Sequence, residues 1–486
     1  MLEIFVPADR TTGRGAFVEI VPMNPFRGWW LGALLLGLTV VSPLRAWQEA
    51  PPVDETQEPA QPTLEEKVEE LDQKVRILQR QDELEKEAAA EKAKTATGVT
   101  SGRDGFSFKS NDGAYVLKLR GYVQLDGRFY SGDDERPATD TFILRRVRPI
   151  FEGTVFKIFD FRIMPDFGGG TTVLQDAYID ARFSPKIKIR AGKFKPPVGL
   201  ERLQSGTDIL FVERGFPTSL LPNRDLGVQL FGDLAGGNVS WAAGVFNGVV
   251  DGGSGDLDGN DGKDYAARLF FQPFLADNGS WKGLGFGVAA ITGDQQGTLT
   301  STGLAAYRTP GQQTFFSYRS DGTAAGTVIA DGERFRLTPQ AHLYRGPFGL
   351  LTEYAISRQE VRRGTVAAEL ENTALQVTAS WVFGGEPTYR AVSPKKPFDR
   401  EAGTWGAFEV AARYNRLELD DDTFPLFANP ASAAEAAEAW SLGLNWYLNR
   451  NVRIYLDYER TTFEGGAATG DREDESVLFS RFQISF

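Results

Sequence analysis

Alternation of side-chain character constrains this chain more than any other feature. The stretch YVLKLRGYVQLDGRFY, Tyr115 to Tyr130, puts Tyr115, Leu117, Leu119, Val123, Leu125 and Phe129 on one side of an extended strand. Lys118, Arg120, Gln124, Asp126 and Arg128 fall on the other side. One face seeks an apolar medium and the other seeks water. A soluble sandwich and a membrane-spanning barrel both satisfy that pattern, so the rest of the chain has to decide.

From Gly105 to the last residue the period stays at two. Strand-like runs recur at Thr141 to Gly153, Phe159 to Phe167, Leu174 to Phe183, Ile187 to Phe194, Gly227 to Phe231, Val239 to Phe246, Tyr265 to Phe271 and Leu284 to Ile291. They continue at Arg334 to Tyr344, Phe348 to Ser357, Leu375 to Phe383, Trp405 to Leu417, Ala439 to Leu448, Val452 to Tyr458 and Val477 to Phe486. Arg334 to Tyr344 repeats the two faces, with Phe335, Leu337, Ala341 and Leu343 opposite Arg334, Arg336, Thr338, Gln340 and His342. A soluble β-protein of this size would show a second, strongly apolar packing face, whereas here charge returns on one face strand after strand. Short turns such as Leu448-Asn449-Arg450-Asn451 alternate with long polar loops such as Asp251 to Asp264, the habit of an outer-membrane barrel. The expected fold is therefore all-β: a transmembrane antiparallel β-barrel, closed by VLFSRFQISF with its terminal aromatic.

The N-terminal part reads differently. GWWLGALLLGLTVV, Gly28 to Val41, follows Arg27 and has the length of a secretory signal core rather than of a spanning helix. Residues 1–46 are read as the signal region, with Ala46 the last residue before cleavage and Met23 an alternative start. Residues 47–62 are a Pro-rich acidic linker. Within residues 63–94, Leu64, Val68, Leu71, Val75 and Leu78 recur at spacings of four and three, the heptad of an α-helical coiled coil, expected in the periplasm. A solvated lone helix is the competing reading of this segment. Residues 95–114 are read as a second linker and residues 115–486 as the barrel.

With no Cys and a single His, the chain offers neither a disulfide scaffold nor a thiolate or His-rich metal centre, and no cofactor is expected. Net charge −12 and a pI near 5.0 speak against nucleic-acid binding. DLDGNDGKD, Asp256 to Asp264, has Asp261 where a calcium loop needs Gly, and is read as an external loop. His342 shares strand parity with Arg336 and Gln340, away from lipid, which disfavours a lipid hydrolase.

RAGKFKPPVGLERLQS (Arg190 to Ser205), following RRVRPIFEG (Arg145 to Gly153), DFRIMPDFG (Asp160 to Gly168) and LQDAYIDARF (Leu174 to Phe183), resembles the blocks of the phosphate-selective porin O and P family. The resemblance covers Gly105 to Phe486 and is densest between Tyr115 and Asn247. It implies about sixteen strands, a homotrimer in outer-membrane lipid, and a third loop that folds inward from Lys195-Pro196-Pro197 toward Pro222. It also implies an anion channel, for phosphate, polyphosphate or similar small anions, in which Arg145 and Arg146 match paired lumen arginines and Lys193, Lys195 and Arg202 lie near the inward loop. Arg148 stands where the family has an aromatic or neutral residue.

Charge bookkeeping points the same way. Between Tyr115 and Ser205 there are sixteen Lys and Arg against eleven Asp and Glu, in a chain that is acidic overall. Lys118, Arg120, Arg128, Arg145, Arg146, Arg148, Lys193, Lys195 and Arg202 are the expected pore-lining, anion-binding set. Cations in a narrow low-dielectric passage concentrate anions, and arginine pairs bidentately with oxyanions. Asp126, Glu152, Asp160, Asp176 and Asp180 are the carboxylates that could instead absorb these charges in internal salt bridges. The other reading of the whole is a structural barrel held to the cell wall by its coiled coil.

Overall fold

The computed structural model describes residues 63–486 apart from 96, 103, 133–137 and 278. The signal and first-linker readings lie outside the described residues. Helix α1, Leu64–Thr95, starts at a reciprocal cap: the Thr63 amide donates to Glu66 Oε2 at 2.9 Å and the Glu66 amide to Thr63 Oγ1 at 3.3 Å. Glu70–Lys74 (2.6 Å) and Asp72–Arg76 (2.8 Å) support its exposed faces.

Backbone donors and acceptors in hydrocarbon must be paired within the protein, and alternating strands achieve this only by closing on themselves. Sixteen strands do so: β1 (Val116–Ser131), β2 (Thr141–Val155), β3 (Phe159–Asp166), β4 (Val173–Ser184), β5 (Ile187–Phe194), β6 (Asp225–Leu234), β7 (Val239–Phe246), β8 (Asp264–Phe271), β9 (Gly283–Gln296), β10 (Val328–Arg345), β11 (Phe348–Arg363), β12 (Val366–Phe383), β13 (Ala407–Glu418), β14 (Ala434–Tyr447), β15 (Val452–Gly465) and β16 (Glu475–Ser485). Each pairs antiparallel with its neighbours, and β16 returns to β1 in a register running from Ser476↔Ser131 to Ser485↔Tyr122. The stretch read as a second linker contains a hairpin, Gly98–Gly102 with Gly105–Lys109, that pairs with the start of β1 through Phe106↔Leu119.

Two faces separate as alternation requires. Leu125, Phe129, Ile179, Leu230, Leu444 and Phe482 are exposed on the outside, whereas Gln124, Asp126, Arg336, Gln376, Asn415 and Arg481 are buried inside. His342 is buried on the inner side, with its ring 5.4 Å from those of Phe270 and Tyr389. The wall is uneven: β3, β5, β7 and β8 have eight residues, while β10 and β12 have eighteen. A tilted strand crosses hydrocarbon in about 9–11 residues, so the long strands overreach it. Their loop ends carry outward ion pairs such as that of Glu371 in β12 with Arg358 of β11, which belong above the hydrocarbon.

Connections on one side are short, for instance 185–186, 346–347 and 448–451, except for 272–282 and 384–406. On the other side 195–224, 247–263 and 297–327 are long, and the first and third share an apolar core that includes Phe216, Leu220, Phe315 and Phe316. The 297–327 connection reaches across the mouth, where Tyr130 donates to the Gly311 carbonyl at 2.6 Å and Arg472 to that of Thr314 at 3.0 Å.

Candidate functional site

The connection between β5 and β6, residues 195–224, runs inside the barrel. Its backbone groups are cut off from water and need partners from the wall. Gln124 donates to the Gly206 carbonyl at 2.8 Å, Arg453 to those of Ile209 and Leu210 at 3.0 Å, and Arg413 to that of Glu213 at 2.9 Å. Asp457 accepts from the Val212 amide at 2.6 Å, Asn415 from that of Phe216 at 3.0 Å, and Glu353 from that of Leu200 at 2.5 Å. Side chains from β1, β11, β13 and β15 thus fix a loop that sequence reading placed inward.

Strict alternation would send Arg145 and Arg146 to opposite faces. The β1–β2 ladder shifts register here, from Gln124↔Arg146 to Leu125↔Leu144, leaving Arg145 as the extra residue of a bulge. Leu144 stays outside and both arginines reach the loop. They meet Glu213, whose carboxylate accepts from Arg145 at 2.5 and 3.2 Å and from Arg128 at 2.9 Å, with Arg146 at 3.8 Å. Burial by itself would raise the Glu213 carboxyl; Arg145, Arg146 and Arg128 outweigh it and hold the group well below the usual carboxylate range. Arg148 is matched by Asp166 at 2.7 Å and donates to the Tyr122 hydroxyl at 2.8 Å.

The loop's own cations are treated differently. Lys195 donates to the Gln204 carbonyl at 2.6 Å, Arg214 to those of Glu201 at 3.2 Å and Gln204 at 2.9 Å, and Arg202 to those of Thr218 and Leu221. Among the described residues none of these three cations has an ion-pair partner. Burial, then the neighbouring cations Arg214 and Arg224, push Lys195 well below its ordinary value and Arg202 down to about 9. All three line a cavity of about 730 Å³ on the long-loop side, together with Arg145, Arg146, Arg148, Arg224 and Arg308. The acids lining it are Asp166, Glu213 and Asp251, each already engaged, Asp251 by Arg336 at 2.7 Å. What remains unmatched is positive.

A second cavity, of about 530 Å³, lies on the short-turn side and is lined by Arg120, Tyr122, Gln204, Arg390 and Arg453 among others. The Arg148–Tyr122 and Lys195–Gln204 contacts each join a residue of one cavity to a residue of the other, so they mark the partition between them.

The nine cations singled out from sequence are therefore not one site. Arg145, Arg146, Arg148, Lys195 and Arg202 come together around the larger cavity. Arg120 borders the smaller one and pairs with Glu152 at 3.0 Å. Arg128 is buried behind Glu213. Lys118 is exposed in β1, in register with Ser107 of the hairpin and Glu152 of β2. Lys193 follows Ile187, Ile189 and Ala191 to the outward set and pairs with Asp256 rather than lining the lumen. Sequence reading passed over Arg214 and Arg224, although the first lies inside the loop it had delimited and the second two residues beyond. Arg308 had no sequence signal, because nothing local marks residues 297–327 as covering the mouth.

A pH dependence follows from Lys195. Its amine loses its proton at a lower pH than a free lysine, and each proton lost removes a positive charge from the cavity. Anion preference should weaken as pH rises, starting below the range in which a free lysine titrates, and Lys195→Met should flatten that response. Reversal potentials across a salt gradient, taken over a series of pH values, measure it; an identical slope in the variant would remove Lys195 as the titrating group.

The family model described as phosphate-selective porin O and P matches residues 117–486. The chain is similar to Porin O of Pseudomonas aeruginosa, 23% identical over 433 residues, covering 82% of this chain and 96% of that protein. Among solved structures it is similar to the outer-membrane channel DcaP of Acinetobacter baumannii, with TM-score 0.49 and 13% identity over 78% of this chain and 99% of that one. OmpT of Vibrio cholerae in its trimer form gives TM-score 0.47 and 11% identity over 77% and 100%. With a closed sixteen-stranded barrel and a family match over most of its length, the chain belongs to the phosphate-selective porin O and P family of outer-membrane anion channels.

Proposed function

We propose that the channel passes small oxyanions of the phosphate type by passive diffusion, with Lys195, Arg202 and Arg214 as its selective contacts. The observation that carries this reading is the unmatched charge: three loop cations without an ion-pair partner among the described residues line a cavity whose carboxylates are all taken. Uncompensated cations withdrawn from bulk water are costly, and an anion entering the cavity relieves that cost. Guanidinium forks match the geometry of phosphate and carboxylate oxygens, and several weak sites in series let the ion leave again. Arg145 and Arg146 contribute less in this reading, because Glu213 offsets them. Homotrimeric assembly, implied by the family resemblance, completes the proposal.

Single-channel recording of the purified protein in a planar bilayer tests it. In asymmetric chloride the reversal potential should favour anions, and added phosphate should reduce chloride current at concentrations far below that of chloride. Anion selectivity without such block would leave a general anion channel and discard the phosphate-type site. A folded barrel that conducts nothing would favour the tether reading instead.

A further inference from the structure

Helix α1 carries a stripe that nothing in the described structure covers. Leu64, Val68, Leu71, Val75 and Leu78 are between 47% and 84% exposed, and they occupy successive d and a positions of a heptad. The register breaks where Asp82 falls at a and Glu85 at d, so the apolar seam is confined to the first part of the helix. A polar cell-wall glycan offers no apolar surface to bury such a seam; an identical helix does.

The flanking charges select an orientation. Lys67 is at g and Asp72 at e, five residues on, which is the spacing that brings opposite charges together between parallel chains. In an antiparallel pair g meets g and e meets e, so Lys67 and Lys74 would face like charge, as would Glu65 and Asp72. Among the described residues Lys67 has no ion pair within its own helix, and Asp72 is held only by Arg76 at 2.8 Å. We propose that α1 docks in parallel on the α1 of neighbouring copies of this chain, with Leu64 to Leu78 as the seam and Lys67 pairing across to the partner's Asp72. The inference rests on the multimeric assembly proposed above. A seam this short is marginal for free peptides. Chains already joined through their barrels present it at high effective concentration, so it would act as a clamp on the assembly.

Because the chain has no cysteine, single thiols report directly on the seam. In the full-length protein, Leu78→Cys should cross-link to itself under mild oxidation several-fold faster than Arg80→Cys, which lies at f on the far side. Self-linking at Leu78 requires a parallel pair, since an antiparallel one would bring it to Leu64. Lys67→Glu should lower the temperature at which detergent-extracted assemblies dissociate, and Lys67→Glu with Asp72→Lys should restore it. Equal or absent cross-linking at Leu78 and Arg80 in assemblies that still conduct would overturn the proposal while leaving the channel reading intact. Loss of conductance with selective cross-linking retained would do the reverse.

Discussion

Replacing Arg202 and Arg214 together by Gln is expected to remove most of the channel's preference for anions. A unit charge roughly 8 Å from the ion path, at an effective dielectric constant of about 20, contributes about 2 kcal/mol, which salt with a Debye length of about 8 Å reduces to about 0.8 kcal/mol. Two such charges correspond to roughly tenfold in the anion's own permeability and, because the same field disfavours a cation equally, to on the order of a hundredfold in the anion-to-cation ratio. Gln keeps a donor toward the carbonyls of Thr218 and Gln204 that the arginines now serve, so the loop should stay docked. Arg145→Ala with Arg146→Ala should shift the ratio less, since that pair is already balanced in part by Glu213. The measurement is the reversal potential of each variant in a fixed salt gradient. An unchanged potential in the Arg202/Arg214 variant would move the selective site elsewhere.

Glu213→Gln should act in the opposite electrical direction and at a larger cost in stability. The carboxylate is the shared partner of Arg128 and Arg145 and lies near Arg146, and all of these except the partly exposed Arg145 are buried. Breaking a buried ion pair by removing one partner costs about 3–5 kcal/mol, because the remaining charge keeps its desolvation penalty. The variant should be more anion-selective, with three cations unmasked, and its barrel should unfold at lower temperature. The sign of the pH effect is set by the depressed carboxyl. Its stabilisation is complete above the unfolded value of about 4.3 and is lost only as pH falls through the lower folded value. Native protein should therefore keep its loop docked at mildly acidic pH. Thermal unfolding of both proteins at pH 7 and pH 4 checks this: the gap between them should be largely retained at pH 4, and a gap that closes there would mean that Glu213 is not held ionised.

Much of the barrel was legible in its sequence, and the strand ends that it left short share one cause. The strand read as Val452 to Tyr458 continues to Gly465, and the one read from Leu375 begins at Val366. Beyond the hydrocarbon both faces of a strand meet water, so alternation fades although ladder hydrogen bonds continue. Lys193 could have been assigned by parity alone, since it is two residues from the outward Ala191. The inward placement of both Arg145 and Arg146 could not, because one extra residue in the ladder reverses the parity expected from Leu144. The lone histidine, buried inside the barrel among aromatic rings, fits a channel and not a lipid-facing enzyme.

A period of two is a property of each strand alone and needs no knowledge of its neighbours, so the residue pattern was enough to specify a two-faced barrel with a polar interior. It also determined the helix, through a local heptad and a cap that spans three residues. Which cations are spent and which are free depends instead on contacts between distant parts of the chain. Glu213 neutralises Arg145 and Arg128 from 68 and 85 positions away in the chain, and Arg481 meets Asp126 across 355. Charge matching is a contact property, and contacts of that range are set by how the loops fill the lumen.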